Sequence, residues 1–251
     1  MKIAIIGCGF IGTEIAKFLD KKDSIVISGV SDINEENARN LIAKLNRNTP
    51  IIRPISENIA HADFIIESAS PEIVPYILNL AKGKKVFIMS VGGLLGHKLP
   101  DNVFFPSGAI GGLDAIRAAS SGKIESITLT TTKHPRALKG APFVEKNNVD
   151  LDVIDKKVIF SGSVHDAISG FPTNINVAAS VAITSKAPEK LKVKIIADPN
   201  IKTNTHEIEI ISDSGKFSFR FQNVPSDINP KTSKLAVYSA LSAIEMLIRQ
   251  Q

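Results

Sequence analysis

The stretch Ile3-Ala4-Ile5-Ile6-Gly7-Cys8-Gly9-Phe10-Ile11-Gly12 decides the fold. A short apolar run breaks into glycines, and a helix-like pattern over 11–19 follows at once. G-x-G-x-x-G alone is a weak signal. Between a buried strand and a helix it is the fingerprint of a loop that cradles a dinucleotide pyrophosphate. Gly7 permits the tight turn, Gly9 lets the backbone approach the phosphates, and Gly12 lets helix and strand lie close. Phe10, Ile11 and Gly12 then bring the N–H groups and positive dipole end of the helix to the anion.

An acid is expected about 20 residues further on, at the end of the second strand. Asp32 stands there, after Ile25-Val26-Ile27-Ser28-Gly29-Val30. Its carboxylate suits the adenosine ribose hydroxyls and repels a 2′-phosphate. NAD is therefore expected over NADP, with NADP left open. Strands over 2–6, 25–30, 64–67 and 85–89 alternate with helices over 11–19, 35–45 and 71–81, which predicts a doubly wound parallel sheet. Ser70 reads as the N-cap of the 71–81 helix, with Pro71 its first residue. Ligands bind beyond the carboxyl ends of such strands, so Ala69 and Ser70, and the Ser90–Gly93 segment, are expected beside the cofactor. Ordinary loop chemistry explains any one of these residues equally well.

The pattern changes after about residue 106. A helix over 108–120 is followed by strands over 124–133, 153–160, 192–197, 207–212 and 216–221, with a helix over 174–184 among them. Ser212-Asp213-Ser214-Gly215 is a hairpin signal. This predicts a second α+β domain with an open, mainly antiparallel sheet. The last helix, over 230–249, reads as capped by Asn229. The expected division is 1–106 for the Rossmann domain, with the helix of 229–251 packing back on it, and 107–228 for substrate binding, catalysis and oligomerisation.

The bulk numbers exclude several classes. The chain has 251 residues, 43% hydrophobic and 22% charged, as in ordinary globular proteins. No apolar run is long enough to cross a bilayer. The N-terminal apolar run ends in glycines rather than continuing as a signal peptide, so a cytoplasmic protein is expected. The single cysteine, Cys8, excludes an intrachain disulfide framework. The histidines are dispersed, so no metal site is expected. The net charge of +5 suits an anionic small molecule; scattered cations and the absence of tryptophan argue against nucleic acid.

Four segments of the second half carry a more specific signal. They are Ser107-Gly108-Ala109-Ile110-Gly111-Gly112-Leu113-Asp114, Phe171-Pro172-Thr173-Asn174-Ile175-Asn176-Val177-Ala178, Asn204-Thr205-His206-Glu207, and Asn229-Pro230-Lys231-Thr232-Ser233. In this order, behind the glycine fingerprint, they resemble the L-aspartate dehydrogenase family. The resemblance implies hydride removal from L-aspartate, giving iminoaspartate, which hydrolyses to oxaloacetate and ammonia or feeds NAD biosynthesis. It implies His206 as the catalytic residue and Ala109 and Asn176 as cofactor contacts.

By position alone His206 reads first as a packed core histidine, with Ile208 and Ile210 alternating beside it. Its chemistry also fits a base, because hydride leaves only from the neutral amine. A dicarboxylate needs cations or N–H donors. Lys133 and Arg136 are the candidate cations, a solvated loop being the alternative for both and the favoured reading for Arg136, and the starts of the helices at Gly108 and Pro230 are candidate donor sources. Thr232 and Ser233 offer hydroxyls, or serve only the first turn of the last helix. In the family pattern an arginine often precedes the lysine; here Thr132 stands in that place. A homodimer through the open sheet is expected. Another two-domain oxidoreductase acting on a different amino acid, semialdehyde or imine stays open, as does a non-catalytic NAD(H)-sensing module.

Overall fold

The computed structural model describes residues 1–152, 155–172, 176–227, 229 and 232–249. Two compact units divide the chain: Met1–Pro106 with Val237–Gln251, and Ser107–Ala236.

The first unit is built on five parallel strands in the order β2-β1-β3-β4-β5. These are β1 (Lys2–Ile6), β2 (Val26–Ser31), β3 (Phe64–Glu67), β4 (Lys85–Ile88) and β5 (Val103–Phe104). The chain leaves β1 for β2 on one side and returns to β3 on the other, so the carboxyl ends of β1 and β3 flank the point where the strand order reverses. Ile6 pairs with Glu67 there. That crevice is where open α/β sheets bind ligands.

Helices α1 (Phe10–Asp20), α2 (Glu35–Ile42), α3 (Ile55–Ala60) and α4 (Val74–Leu80) connect the strands. Short β5 and α3 were not evident in the sequence pattern. Ile3, Ile5, Ile15, Leu19, Phe64, Ile66 and Phe87 form the core, and Ala240 and Ile244 of the last helix pack into it. The parallel strands are apolar because both faces are covered. This is a Rossmann-like sheet.

The expected helix over 71–81 is split. A 3-10 turn, Pro71–Ile73, leads into α4, and the Ser70 side chain makes no capping hydrogen bond. The Ser70 side chain bonds to the Glu72 carboxyl instead, which holds that group below the usual carboxylate range.

The second unit carries a five-stranded sheet in the order β10-β9-β6-β8-β7. Its strands are β6 (Ile124–Lys133), β7 (Lys157–Ser163), β8 (Leu191–Ala197), β9 (Asn204–Ser212) and β10 (Gly215–Asn223). Only β6 and β8 run parallel; the other pairings are antiparallel. The hairpin at Asp213-Ser214 closes with Gly215 opposite Ser212. β7 begins later than the expected 153–160 strand, whose Val153 and Ile154 lie outside the described residues. Helices α5 (Leu113–Ala119), α6 (Pro142–Lys146), α7 (Val164–Gly170) and α8 (Asn176–Ser185) complete the unit, and α9 (Lys234–Arg249) begins in it. Asn174 and Ile175 of the expected 174–184 helix, with Thr173 before them, lie outside the described residues.

Two helix starts differ from expectation. The 108–120 helix begins only at Leu113, because Gly108 (φ 68°) and Gly112 (φ 73°) are left-handed and break the helical path. The last helix begins at Lys234, and Ser233 caps it by accepting from the Ala236 N–H at 3.1 Å. Asn229 is not its cap: its carbonyl accepts from the Thr232 N–H in the preceding turn. Pro230, the expected first residue, lies outside the described residues. Gly108 does not open a helix, so it supplies no helix N-terminus to a substrate.

Candidate active site

The glycine loop is held by the chain around it. Gly7 has φ 95°, and a Cβ there would meet Ala69 N at 2.5 Å. A Cβ on Gly12 would meet the Gly7 carbonyl oxygen at 2.0 Å. Both glycines are required by the protein itself. Gly9 is different: it is exposed, and a Cβ there would meet nothing within 4 Å. What Gly9 leaves free is open space beside the first turn of α1. That turn contains no acid, and its N–H groups lack helical partners, as at any helix start. Phe10 and Ile11 there are half-buried. These features fit a bound pyrophosphate.

Asp32 faces the loop from the end of β2. Its Oδ2 accepts from the Cys8 N–H at 2.7 Å, and its Oδ1 accepts from the Asn34 N–H at 2.8 Å. The carboxylate thereby fixes the loop and retains acceptor capacity for a ribose hydroxyl. Cys8 is inert here. Burial, and secondly the Asp32 charge, push its thiol up to about 12.

Opposite Asp32, Ser68 Oγ donates to the Gly7 carbonyl at 2.8 Å, so the glycine loop and the segment after β3 form one surface. Ala69 is exposed and Ser70 half-buried on it. The sequence reading missed what holds this surface. Glu67, fully buried at the end of β3, accepts from Ala69 N–H (2.8 Å), Ser90 N–H (2.9 Å) and Ser90 Oγ (2.7 Å). One carboxyl ties the loop after β3 to the loop after β4. Burial raises its pKa, and the hydrogen bonds from Ser90, Ala69 and Ser70 pull the other way. A charged residue closing the apolar run Phe64-Ile65-Ile66 was the signal available.

In the second unit His206 is the third residue of β9 and is 5% exposed. It pairs across the ladder with Thr131 of β6, and Thr131 Oγ1 lies 2.9 Å from His206 Nδ1. Lys133 is two residues beyond Thr131 and so shares its face. It is 8% exposed, and with Thr131 it lines a small cavity walled by Ala167, Phe171, Ala178 and Ile195. Burial lowers the Lys133 amine to about 8. Burial first, and the Lys133 charge second, lower His206 to about 3. Three groups that can move or hold a proton thus meet on one sheet face. Thr131, a plain strand residue in sequence, was not anticipated.

The remaining expected residues are dispersed over this unit. Ala109 is half-buried, its carbonyl accepting from Asn223 Nδ2 at 2.8 Å. The glycines after it lie under Phe219 and Phe221 of β10, whose rings would stand 2.9 Å and 3.3 Å from a Cβ at Gly112 and Gly111. Asn176 is exposed at the start of α8. The Thr232 carbonyl accepts from the Ser226 N–H at 2.8 Å, and Ser233 caps α9. Among the described residues no group of histidine, cysteine and carboxylate side chains could hold a metal ion, and no helix is long and apolar enough to cross a membrane.

A Rossmann-like sheet with an open glycine loop, joined in one chain to a mixed-sheet unit with a buried His–Thr–Lys constellation, is the layout of a two-domain dinucleotide-dependent oxidoreductase. The family described as homoserine dehydrogenase, NAD binding domain, matches residues 7–103, and that described as aspartate dehydrogenase, C-terminal, matches residues 114–247. The L-aspartate dehydrogenase of Methanococcoides burtonii is 41% identical over 98% of this chain and 97% of its own. That of Bradyrhizobium diazoefficiens is 36% identical over 100% and 92%. The crystal structure of an aspartate dehydrogenase from Thermotoga maritima matches with TM-score 0.74 and 30% identity, covering 98% of this chain and 96% of that one. The chain belongs to the L-aspartate dehydrogenase family and is an NAD-binding amino-acid dehydrogenase.

Proposed function

We propose that the protein oxidises L-aspartate with NAD to iminoaspartate, which takes up water and gives oxaloacetate and ammonia. The observation that carries this reading is the buried pairing of His206 with Thr131 beside Lys133: a proton acceptor and a cation on one face suit an amino dicarboxylate. Bound NAD supplies the hydride acceptor. The protein's own residues hold it and prepare the substrate. The α1 N-terminus and Gly9 take the pyrophosphate, Asp32 the ribose, and Ala69 and Ser70 the side towards the reacting end, with Ala109 and Asn176 as further contacts. Lys133 holds a substrate carboxylate, assisted by the hydroxyls of Thr232 and Ser233. His206 takes the ammonium proton or activates the hydrolytic water.

Acting as a base requires the tautomer in which Nδ1–H donates to Thr131 Oγ1, leaving the Nε2 lone pair free. At a pKa of about 3 the free enzyme holds His206 neutral. Substrate carboxylates arriving beside it favour its protonated form and raise that value. Iminoaspartate released before hydrolysis would serve pyridine nucleotide synthesis. A cytoplasmic homodimer belongs to the same reading, with Val158 and Ile211 exposed on strands of the second sheet.

The test is a panel of amino acids offered with NAD, with reduced cofactor followed by absorbance. L-aspartate should give the highest kcat/KM. No signal with aspartate but turnover of another amino acid would reject it, and silence throughout would favour the sensing reading. The cofactor half has its own test. Gly9→Ala should leave the melting temperature within about 2 °C, since its Cβ meets nothing, and weaken NAD binding at least about ten-fold by crowding the pyrophosphate. Unchanged NAD affinity would remove the phosphates from this loop.

A further inference from the structure

Beyond β2, two arginines meet on one carboxylate that the reaction described above does not use. Arg53 comes from the segment just after Ile51, which bridges to Val30 of β2. Its Nη2 donates to the Asp32 carbonyl at 3.2 Å and the Ile33 carbonyl at 3.3 Å. Its Nη1 lies 3.5 Å from Glu35 Oε2. Arg39, one turn along α2, takes the other oxygen, with Nη2 at 2.6 Å and Nε at 3.1 Å from Glu35 Oε1. Arg39 first, and Arg53 after it, hold the Glu35 carboxyl below the usual carboxylate range.

The position of this cluster gives it meaning. Asp32 is tied to the glycine loop through Cys8 N–H, so the ribose 2′ oxygen belongs at Asp32 and the turn behind it. Arg53 is bonded to the backbone of that same turn. Ile33, fully exposed between them, offers an apolar surface to an adenine ring. Two guanidinium forks converging on an acid are the geometry that receives a phosphate.

We propose that Arg39 and Arg53 form a subsite for a phosphate on the adenosine 2′ oxygen, and that Glu35 fills it in the phosphate's place, so that Glu35 sets the preference between NAD and NADP. The inference rests on the cofactor reading given above. Exposed ion pairs such as Arg39–Glu35 contribute little and are easily exchanged. The carboxylate competes for both arginines and repels the incoming charge. Removing its charge therefore acts twice in the same direction. Asp32 disfavours a 2′-phosphate by charge, while Arg39 and Arg53 oppose it. The balance between NAD and NADP then turns on whether the arginines are free.

Isothermal titration of the full chain with 5′-AMP and with adenosine 2′,5′-bisphosphate tests this without turnover. In Glu35→Gln the affinity for the bisphosphate relative to AMP should rise by about ten-fold or more, the scale expected when a unit charge beside a phosphate is removed. Adding Arg39→Ala and Arg53→Ala to that variant should abolish the gain. The NADP-to-NAD ratio of kcat/KM should move the same way. An unmoved ratio in Glu35→Gln overturns the proposal, as does a gain that survives loss of both arginines. Failure of 5′-AMP to bind the unaltered protein would instead remove the cofactor reading, and the subsite with it.

Discussion

Replacing His206 by alanine is expected to lower kcat by about 10²–10⁴-fold, the range of a positioned acid–base group, with NAD affinity retained. His206 is buried, and its Nδ1 is engaged by Thr131 Oγ1 at 2.9 Å, so the ring cannot turn freely and, among the described residues, Nε2 is its uncommitted nitrogen. A histidine placed only for packing would show a different pattern. Its loss would lower the melting temperature and leave the turnover of the surviving folded enzyme nearly intact. Measuring both quantities on His206→Ala and on His206→Asn, which refills part of the space, separates the two roles. Turnover within two-fold of the unaltered enzyme in His206→Asn would take the imidazole out of the reaction. Thr131→Val makes the complementary change. It keeps the shape and removes the oxygen that engages Nδ1 and orients the ring, so kcat should fall by a smaller factor while KM for NAD stays in place.

The parts of this molecule that were legible in sequence are those governed by short-range rules. The glycine spacing, the acid after β2, the full extent of β6 and the Asp213-Ser214 hairpin each follow from neighbouring residues. The errors share a physical cause. Gly108 and Gly112 look compatible with a helix until their positive φ values are known, and at Gly112 the ring of Phe219, more than a hundred residues away, leaves no room for a Cβ. Asn229-Pro230 has the chemistry of a helix start, yet Thr232 pairs back to Ser226 and Ser233 takes over the cap. In both places a tertiary contact outweighs a local preference.

The same distinction runs through the candidate site. His206 and Lys133 were legible as residue types, and the family resemblance singled out His206. Their partnership through Thr131 needs the β6–β9 register, which no local pattern specifies. Arg53 is invisible to a search for a basic residue next to Asp32, because it reaches that turn from 21 positions further along. Glu67 announces itself only as a charge at the end of a buried strand. Its hydrogen bonds to two separate loops are a property of the parallel sheet, which brings the ends of β3 and β4 side by side.

Lys133→Met should raise KM for L-aspartate by about 10²-fold, since removing one partner of a buried charge pair costs about 2–5 kcal/mol, and it should change the shape of the pH profile. Lys133 owes its amine pKa of about 8 to burial. In the free enzyme it is therefore mostly a cation at pH 7 and mostly neutral at pH 9. If the cation holds a substrate carboxylate, kcat/KM, which reports the free enzyme, must fall as pH rises through about 8. Once aspartate is bound, its opposite charge favours the ammonium and moves the titration to higher pH, so kcat stays flatter than kcat/KM over the same interval. Deprotonation of the substrate amine acts in the opposite direction, and in Lys133→Met only that rising limb should remain. The substitution also relieves His206 of a positive neighbour, the second cause of its depressed pKa. Its pKa should rise, a change readable by NMR of the imidazole protons in the free protein. A KM within three-fold of the unaltered enzyme, with the alkaline fall still present, would assign the substrate carboxylate to another group and leave Lys133 only adding to the burial that keeps His206 neutral.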